Sequence, residues 1–214
     1  MTHTPENPTP TRTALPVLGI TGGIGAGKTL VAQALAKAGC AVIDADKVGH
    51  DVLADSDVQA ALRDRFGPAI FSANAIDRPA LGTLVFADPA ARQSLESIVH
   101  PRMRALFQQQ IAAHRQAGDV PAIVLDAAVL FEAGWDDLCT HTAFVDATFE
   151  NRLQRVHDAR GWSREELLAR EQAQIPLDSK AKRCCYTLVS SSEPSGVSHL
   201  QQQARQLLCQ IACR

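Results

Sequence analysis

The stretch that decides the fold runs from Gly22 to Thr29 and reads GGIGAGKT. It fits the pattern G-x-x-x-x-G-K-[ST], in which glycines shape a loop that ends in a lysine and a hydroxyl residue. An apolar run, Val17–Ile20, precedes the loop, and a helical run, Leu30–Ala38, follows it. A strand that passes through such a loop into a helix points several backbone N–H groups at one anion. The sequence therefore predicts a phosphate-binding loop between a buried strand and a helix.

The residues of this loop have separate expected roles. The glycines let the backbone curl so that its N–H groups point at the β-phosphate of a nucleotide. Lys28 is expected to reach the β- and γ-phosphates, which makes it a catalytic candidate, and the Thr29 hydroxyl is expected to coordinate Mg²⁺. The backbone of Leu30 is expected to complete the phosphate-binding loop. The candidate nucleotide-binding residues are Gly23, Ile24, Gly25, Ala26, Gly27, Lys28, Thr29 and Leu30.

Five short apolar runs predict the strands of one sheet. The first is Leu15–Ile20, and the others lie at residues 40–43, 122–125, 142–145 and 186–189, with helical segments between them. Nearly continuous apolar runs are typical of parallel strands that are covered on both faces. The pattern predicts the α/β class and, together with the phosphate loop, a P-loop NTPase fold with a five-stranded parallel sheet flanked by helices.

The segments between the strands suggest a core, an insert and a lid. Residues 15–50, 118–150 and 184–214 are expected to form the nucleotide-binding core. Residues 51–117 far exceed the dozen or so that a crossover needs, and they are predicted to form a wholly helical insert. Residues 151–183 carry eight basic and five acidic residues, which favours a lid that closes over ATP. Residues 1–14, rich in proline and threonine, are predicted to be a disordered tail.

Three aspartates follow predicted strands, at the edge of the sheet where α/β proteins bind ligands. Asp44 and Asp46 come after the second strand, where an extended segment puts both on one face, and Asp126 ends the third strand. One of the first two can accept the proton of an attacking hydroxyl; we choose Asp46, and Asp44 remains open as the base or as a substrate contact. The other interpretation of Asp46 is that it only caps a helix beginning at Lys47. Asp126 is expected to support Mg²⁺ through water.

Cationic residues of the lid and one histidine of the insert are further candidates. Arg155 and Arg160 lie before and at the turn that contains Gly161, and they are expected to stabilise charge on the transferring phosphoryl group. The alternative for both arginines is an ordinary solvated helix face. The dipeptide His100-Pro101 is either the start of a helix or a substrate contact.

The bulk composition argues against several other classes of protein. A formal net charge of -2 offers no general attraction to nucleic acid. No apolar run approaches the ~20 residues that a membrane helix needs. The six cysteines contain no CxxC pair, and reduced thiols are typical of cytosolic proteins. We expect a cytoplasmic, monomeric enzyme without a nucleic-acid or membrane partner.

Several segments taken together resemble the dephospho-coenzyme A kinase family. They are Leu18–Lys28, Val42–Asp46, Asp77-Arg78, Val99–Pro101, Leu130–Glu132 and Arg170–Lys180. The resemblance implies that ATP, with Mg²⁺, phosphorylates the ribose 3′-hydroxyl of dephospho-coenzyme A. It also implies a helical insert that binds coenzyme A, an arginine-bearing lid and Asp46 as the base. Arg78 and His100 are the candidate substrate-binding residues of the insert.

Other functions agree less well with the sequence. A relative that binds coenzyme A species without turnover is disfavoured because Lys28, Thr29 and Asp46 are intact. Another small-molecule P-loop kinase, acting on a nucleoside monophosphate or a sugar, is disfavoured by the large insert and by the Asp-Ala-Asp sequence at residues 44–46. A guanine-specific switch protein is disfavoured because the sequence contains no Asn-Lys-x-Asp signature.

Overall fold

The computed structural model describes residues 15–73, 75–193 and 195–212. The predicted tail at residues 1–14 and the last cysteine, Cys213, lie outside these ranges. The cysteines within them are free thiols: Cys40, Cys139, Cys184, Cys185 and Cys209.

The strands in the described ranges form two sheets. In chain order they are β1 Val17–Gly22, β2 Ala41–Asp44, β3 Phe71–Ser72, β4 Ala75–Ile76, β5 Ile123–Asp126, β6 His141–Asp146 and β7 Tyr186–Val189. The larger sheet is parallel throughout, with the order β2-β5-β1-β6-β7. The predicted five-stranded parallel sheet is confirmed.

Helices cover the sheet and build the regions beside it. They are α1 Lys28–Lys37, α2 Ala45–Val52, α3 Ser56–Phe66, α4 Arg78–Ala87, α5 Pro89–Ala117, α6 Phe149–Arg160, α7 Arg164–Glu171, α8 Leu177–Arg183 and α9 Gly196–Ala212. Short 3-10 helices lie at Pro68–Ile70 and Trp135–Leu138. Over the described ranges, none of the helices combines the length and the apolar character that crossing a bilayer requires.

Two apolar cores lie on the two faces of the sheet, because successive side chains of a strand point in opposite directions. Val17 packs into the core that includes the insert residues Phe107 and Leu62. Its neighbour Leu18 packs into the other core, with Leu35 of α1 and Leu207 of α9. The insert therefore covers one face of the sheet, while α1 and α9 cover the other.

The insert is not wholly helical, contrary to the sequence prediction. Strands β3 and β4 pair antiparallel, with Phe71 opposite Ile76. Gly67 ends α3 with φ 74°, and Pro68 follows it, so the helix cannot continue into this segment. After the 3-10 helix at Pro68–Ile70 and the two strands, the next α-helix is α4, whose N-cap Asp77 accepts the Ala80 N–H at 3.0 Å.

Local side chains set the start of two helices, whereas one predicted helix start is wrong. Asp88 caps α5 by accepting the Ala90 N–H at 2.8 Å, and Ser163 and Glu166 form a capping box at the start of α7. Pro101, in contrast, lies inside α5. The interpretation of His100-Pro101 as a helix start is therefore wrong, and packing of α5 against the core overrides the local preference of proline.

Candidate active site

A cleft of about 990 Å³ opens at the carboxyl ends of the strands, between the phosphate loop, the insert and helices α6 and α7. All four predicted catalytic residues line it, namely Lys28, Asp46, Arg155 and Arg160. The predicted residues Ile24, Gly25, Gly27, Thr29, Leu30, Asp44 and Asp126 line it too. Gly23 and Ala26 are buried, so their expected contribution to phosphate binding is confined to the backbone.

The phosphate loop needs glycine at Gly25 in particular. Its φ is 77°, and a Cβ there would lie 2.8 Å from the carbonyl oxygen of Arg152 and 3.0 Å from Val156 Cγ1. The loop closes on itself, because the Ala26 N–H donates to the Gly23 carbonyl at 3.1 Å. Helix α1 then begins at Lys28 without a side-chain cap. Its positive end is thus directed at the cleft, as anion binding requires.

The side chain of Lys28 is hydrogen-bonded to the backbone of the phosphate loop. Its Nζ donates to the carbonyl oxygens of Gly22 and Gly23, both at 3.1 Å. Burial lowers the pKa of this lysine, while the carboxylates of Asp126 and Asp46 act in the opposite direction. A phosphate group placed beside Lys28 would favour its charged form, so the site is electrostatically matched to an anionic ligand.

The structure separates the roles of Asp44 and Asp46. Helix α2 begins at Ala45, and its N-cap is Asp44, whose Oδ1 accepts the Lys47 N–H at 3.0 Å. The interpretation of Asp46 as the cap of a helix beginning at Lys47 is therefore wrong, and so is the extended segment expected through both acids. Asp46 lies in the first turn of α2, exposed to the cleft. One oxygen of Asp44 serves the cap, which favours Asp46 as the base.

Asp126 brings a third carboxylate to the same edge, because β5 lies between β2 and β1. In the sheet register Asp44 lies opposite Asp126, and Ile20 pairs with Asp126 on the other side. Burial raises the pKa of Asp126 to about 6; Lys28 opposes this rise, and Asp44 and Asp46 add to it. The cleft thus gathers negative charge that a cation can neutralise.

Removing this charge is expected to stabilise the protein. In the folded chain Asp126 keeps its proton up to about pH 6, but an unperturbed aspartate releases it near 3.8. Stability is therefore lost as the pH rises between these values. Asp126→Asn should raise the free energy of unfolding at pH 7.5 by about 1–3 kcal/mol, and by less at pH 5.

Chemical unfolding in EDTA without nucleotide, at both pH values, measures this difference. Asp119→Asn is the matched control, since Asp119 is exposed, and it should change little. An Asp126→Asn variant that is less stable than wild type at pH 7.5 would contradict the prediction.

Arg155 and Arg160 differ in how they are held. The Nη1 of Arg155 donates to the carbonyl oxygens of Gly25 and Ala26 at 3.1 Å and to Ser190 Oγ at 2.9 Å. These bonds tie α6 to the phosphate loop. Arg160 is exposed and lies over the Trp162 ring at 4.8 Å. Both arginines line the cleft, and the catalytic role of each stays a prediction.

Two buried cations were missed in the sequence. Arg152 is 5% exposed, lies against Gly23 and forms an ion pair with Glu171. Arg152 lies four residues before the buried Val156, so both are on the same face of α6, and this spacing could have predicted that Arg152 is buried.

The second buried cation, Lys180, is fully buried. It contacts the Ala128 carbonyl at 2.7 Å, Gln174 Oε1 at 2.8 Å and Glu132 Oε1 at 2.8 Å. It joins the loop after β5 to the chain between α7 and α8, and apart from the family resemblance no sequence signal indicates this role.

The structure does not bring Arg78 and His100 to this cleft. Arg78 is exposed in the first turn of α4. His100 lies in a second pocket of about 400 Å³, with its ring 5.0 Å from that of Trp135 in an edge-on arrangement. Burial lowers the pKa of His100. Substrate binding by these two residues stays a prediction.

The oxygen donors that line the cleft fit Mg²⁺. Within the described ranges, no group of three or more histidine, cysteine or acidic residues is gathered closely enough to hold a metal ion. Mg²⁺ usually binds through one or two carboxylates, water and substrate phosphates. The hydroxyl of Thr29 and the carboxylates of Asp46 and Asp126 line one cleft and are oxygen donors of this kind.

The fold and the site define a P-loop nucleotide-binding protein: the sheet is parallel, the phosphate loop leads into α1, and an acid lies beside the loop. The family model described as dephospho-CoA kinase matches residues 16–195. This chain belongs to the dephospho-CoA kinase family.

Individual relatives agree with the family model. A protein named dephospho-CoA kinase from Symbiobacterium thermophilum is 41% identical over 169 residues, which cover 78% of this chain and 70% of that protein. The crystal structure of TT1252 from Thermus thermophilus is 33% identical with a TM-score of 0.78, covering 93% of this chain and 99% of that one. The dephospho-CoA kinase from Campylobacter jejuni, 23% identical, covers 92% and 96% of the two chains with a TM-score of 0.68 and supports the fold alone.

Proposed function

We propose that this chain transfers the γ-phosphoryl group of ATP to the ribose 3′-hydroxyl of dephospho-coenzyme A, giving coenzyme A and ADP. The observation that carries the proposal is that Lys28 and Asp46 line one cleft in a member of this family. A cation for the phosphates and a carboxylate for the hydroxyl proton are the two groups that such a transfer needs.

The donor site is the phosphate loop. Backbone N–H groups of residues 23–30 and the Nζ of Lys28 hold the β- and γ-phosphates. Thr29 and, through water, Asp126 would hold Mg²⁺, which supplies positive charge to the phosphates when it is bound. Because the loop is prearranged by its own hydrogen bonds, little reorganisation accompanies the reaction.

The acceptor site lies at Asp46. Its carboxylate takes the proton of the 3′-hydroxyl while that oxygen forms a bond to the γ-phosphorus and the bond from this phosphorus to ADP breaks. Asp44 contacts the acceptor from the N-cap of α2. The insert, with Arg78 and His100, binds the remainder of dephospho-coenzyme A.

The lid is the cationic region at residues 151–183. Arg160 places its guanidinium at the transferring group, and closure of the lid excludes water that would otherwise compete with the acceptor. Arg155 contributes charge from its fixed position against the loop. Because Arg155 is bonded to the phosphate loop, we expect α6 to stay with the core and movement to be confined to α7 and its connections.

We also propose that the protein acts in the cytoplasm, where the free thiols of the described residues would be expected, and that it acts as a monomer.

A coupled assay of ADP release, with ATP, Mg²⁺ and dephospho-coenzyme A, tests the proposed activity. We expect turnover with this acceptor and a product that mass spectrometry identifies as coenzyme A. Nucleoside monophosphates and sugars serve as control acceptors and should give little release. Faster turnover of a control acceptor than of dephospho-coenzyme A would contradict the proposal and indicate a different small-molecule kinase.

A further inference from the structure

We propose that Arg170, which lies against the rings of Phe86 and Trp162, binds the diphosphate of the acceptor and so selects dephospho-coenzyme A. The proposal rests on the proposed function and names a residue for the recognition of its substrate. All three side chains line the cleft. Phe86 comes from α4 of the insert, Trp162 from the turn between α6 and α7, and Arg170 from α7 itself.

The guanidinium of Arg170 lies against two aromatic rings. Its central carbon lies 4.0 Å from the centroid of Trp162 and 5.3 Å from that of Phe86. Stacking of this kind orients the plane of the guanidinium and leaves its N–H groups pointing outward along the edge. An edge with parallel N–H donors matches two oxygens of one phosphate group.

One donor of Arg170 lacks a partner. Among the side-chain nitrogen and oxygen atoms of the described residues, the Nε of Arg170 is the one that is buried without a hydrogen bond. Buried polar groups are almost always paired, and an unpaired donor on a charged group is costly. A phosphate oxygen at this edge would satisfy it, so the unpaired nitrogen points to an anionic ligand.

The position of Arg170 is fixed by its neighbours on α7. Leu167 is fully buried, and Glu171 forms an ion pair with the buried Arg152. The burial of Leu167 and the ion pair of Glu171 fix how α7 is turned, with Arg170 lining the cleft. A side chain placed in this way needs little ordering when a ligand binds.

The distribution of charge favours the acceptor over the donor as the ligand. Lys28 lies in the phosphate loop, where the triphosphate of ATP binds, and Arg155 is occupied by backbone carbonyls. Arg170 and Arg92 line the cleft beside the insert instead, and Arg92 has only a half-exposed pair with Glu96 at 3.9 Å. The acceptor carries its diphosphate on the same ribose whose 3′-hydroxyl reacts. Two arginines on the insert side of the cleft are therefore suited to that diphosphate.

Steady-state kinetics of Arg170→Ala and Arg170→Lys, with thermal unfolding of each variant, test the proposal. Arg170→Ala should raise the KM for dephospho-coenzyme A by about 10- to 100-fold and leave the KM for ATP within about twofold. Arg170→Lys should recover part of the loss, because it keeps the charge but not the planar edge. Arg164→Ala is the matched control: Arg164 is exposed on the same helix and lies over Phe149 at 4.5 Å. It should change neither KM.

Other outcomes would overturn the proposal. A rise in the KM for ATP alone would assign Arg170 to the donor. Unchanged KM values together with lower thermal stability would show that Arg170 only connects the insert to the lid.

Calorimetric titration of dephospho-coenzyme A distinguishes failure of the Arg170 proposal from failure of the proposed function. A wild-type protein that binds this compound but does not phosphorylate it contradicts the proposed function, and the Arg170 variants can still be compared by affinity.

Discussion

Asp46→Asn is expected to lower turnover with dephospho-coenzyme A by about 10²- to 10⁴-fold, the range typical of a lost general base. Asparagine has nearly the same shape but cannot take the proton of the 3′-hydroxyl. Asp46 lies in the first turn of α2, beyond the Asp44 cap, so the substitution should leave the helix intact. The affinity for ATP should stay close to that of wild type, because the phosphate loop is unchanged. Turnover is measured by ADP release, and ATP affinity by calorimetry.

Asp44→Asn is the matched control for this experiment. Asparagine is also a good N-cap, so the variant keeps the hydrogen bond to the Lys47 N–H and loses only the charge. We expect a smaller loss of turnover than for Asp46→Asn. If Asp44→Asn were the inactive variant and Asp46→Asn the active one, the base would be Asp44.

Lys28→Ala is expected to lower turnover by about 10²- to 10³-fold, the range for removal of one prearranged group that stabilises transition-state charge. The ammonium group donates to the Gly22 and Gly23 carbonyls, which lie beside the nucleotide site. Because burial already disfavours this charge, the lysine contributes little to folding. The melting temperature should therefore change little, while the rate of phosphoryl transfer falls.

Lys37→Ala provides a matched control, since Lys37 is exposed in the last turn of the same helix. It should behave as wild type in both turnover and melting. A Lys28→Ala variant that keeps more than about a tenth of wild-type turnover would contradict the assignment of the phosphate loop, given the loss expected for this group.

The sequence by itself was sufficient wherever the determining interactions are local. The loop at residues 22–29 combines glycine conformations with a following helix, and both are encoded within a dozen residues. The caps at Asp88 and Ser163 act over three residues or fewer. Continuous apolar runs indicated all five strands of the parallel sheet, and the three central strands are covered on both faces as such runs predict.

The tertiary structure alone decided how distant segments combine. The register that sets Asp44 opposite Asp126, and the fixing of Arg155 by Ser190, join residues that are far apart in the chain. It also decided which charges are buried, as with Lys180, and it placed His100 in a separate pocket from Asp46. Charged residues look alike in a sequence. Whether one is solvated, paired or stacked depends on the groups that packing brings beside it, and packing is a property of the whole fold.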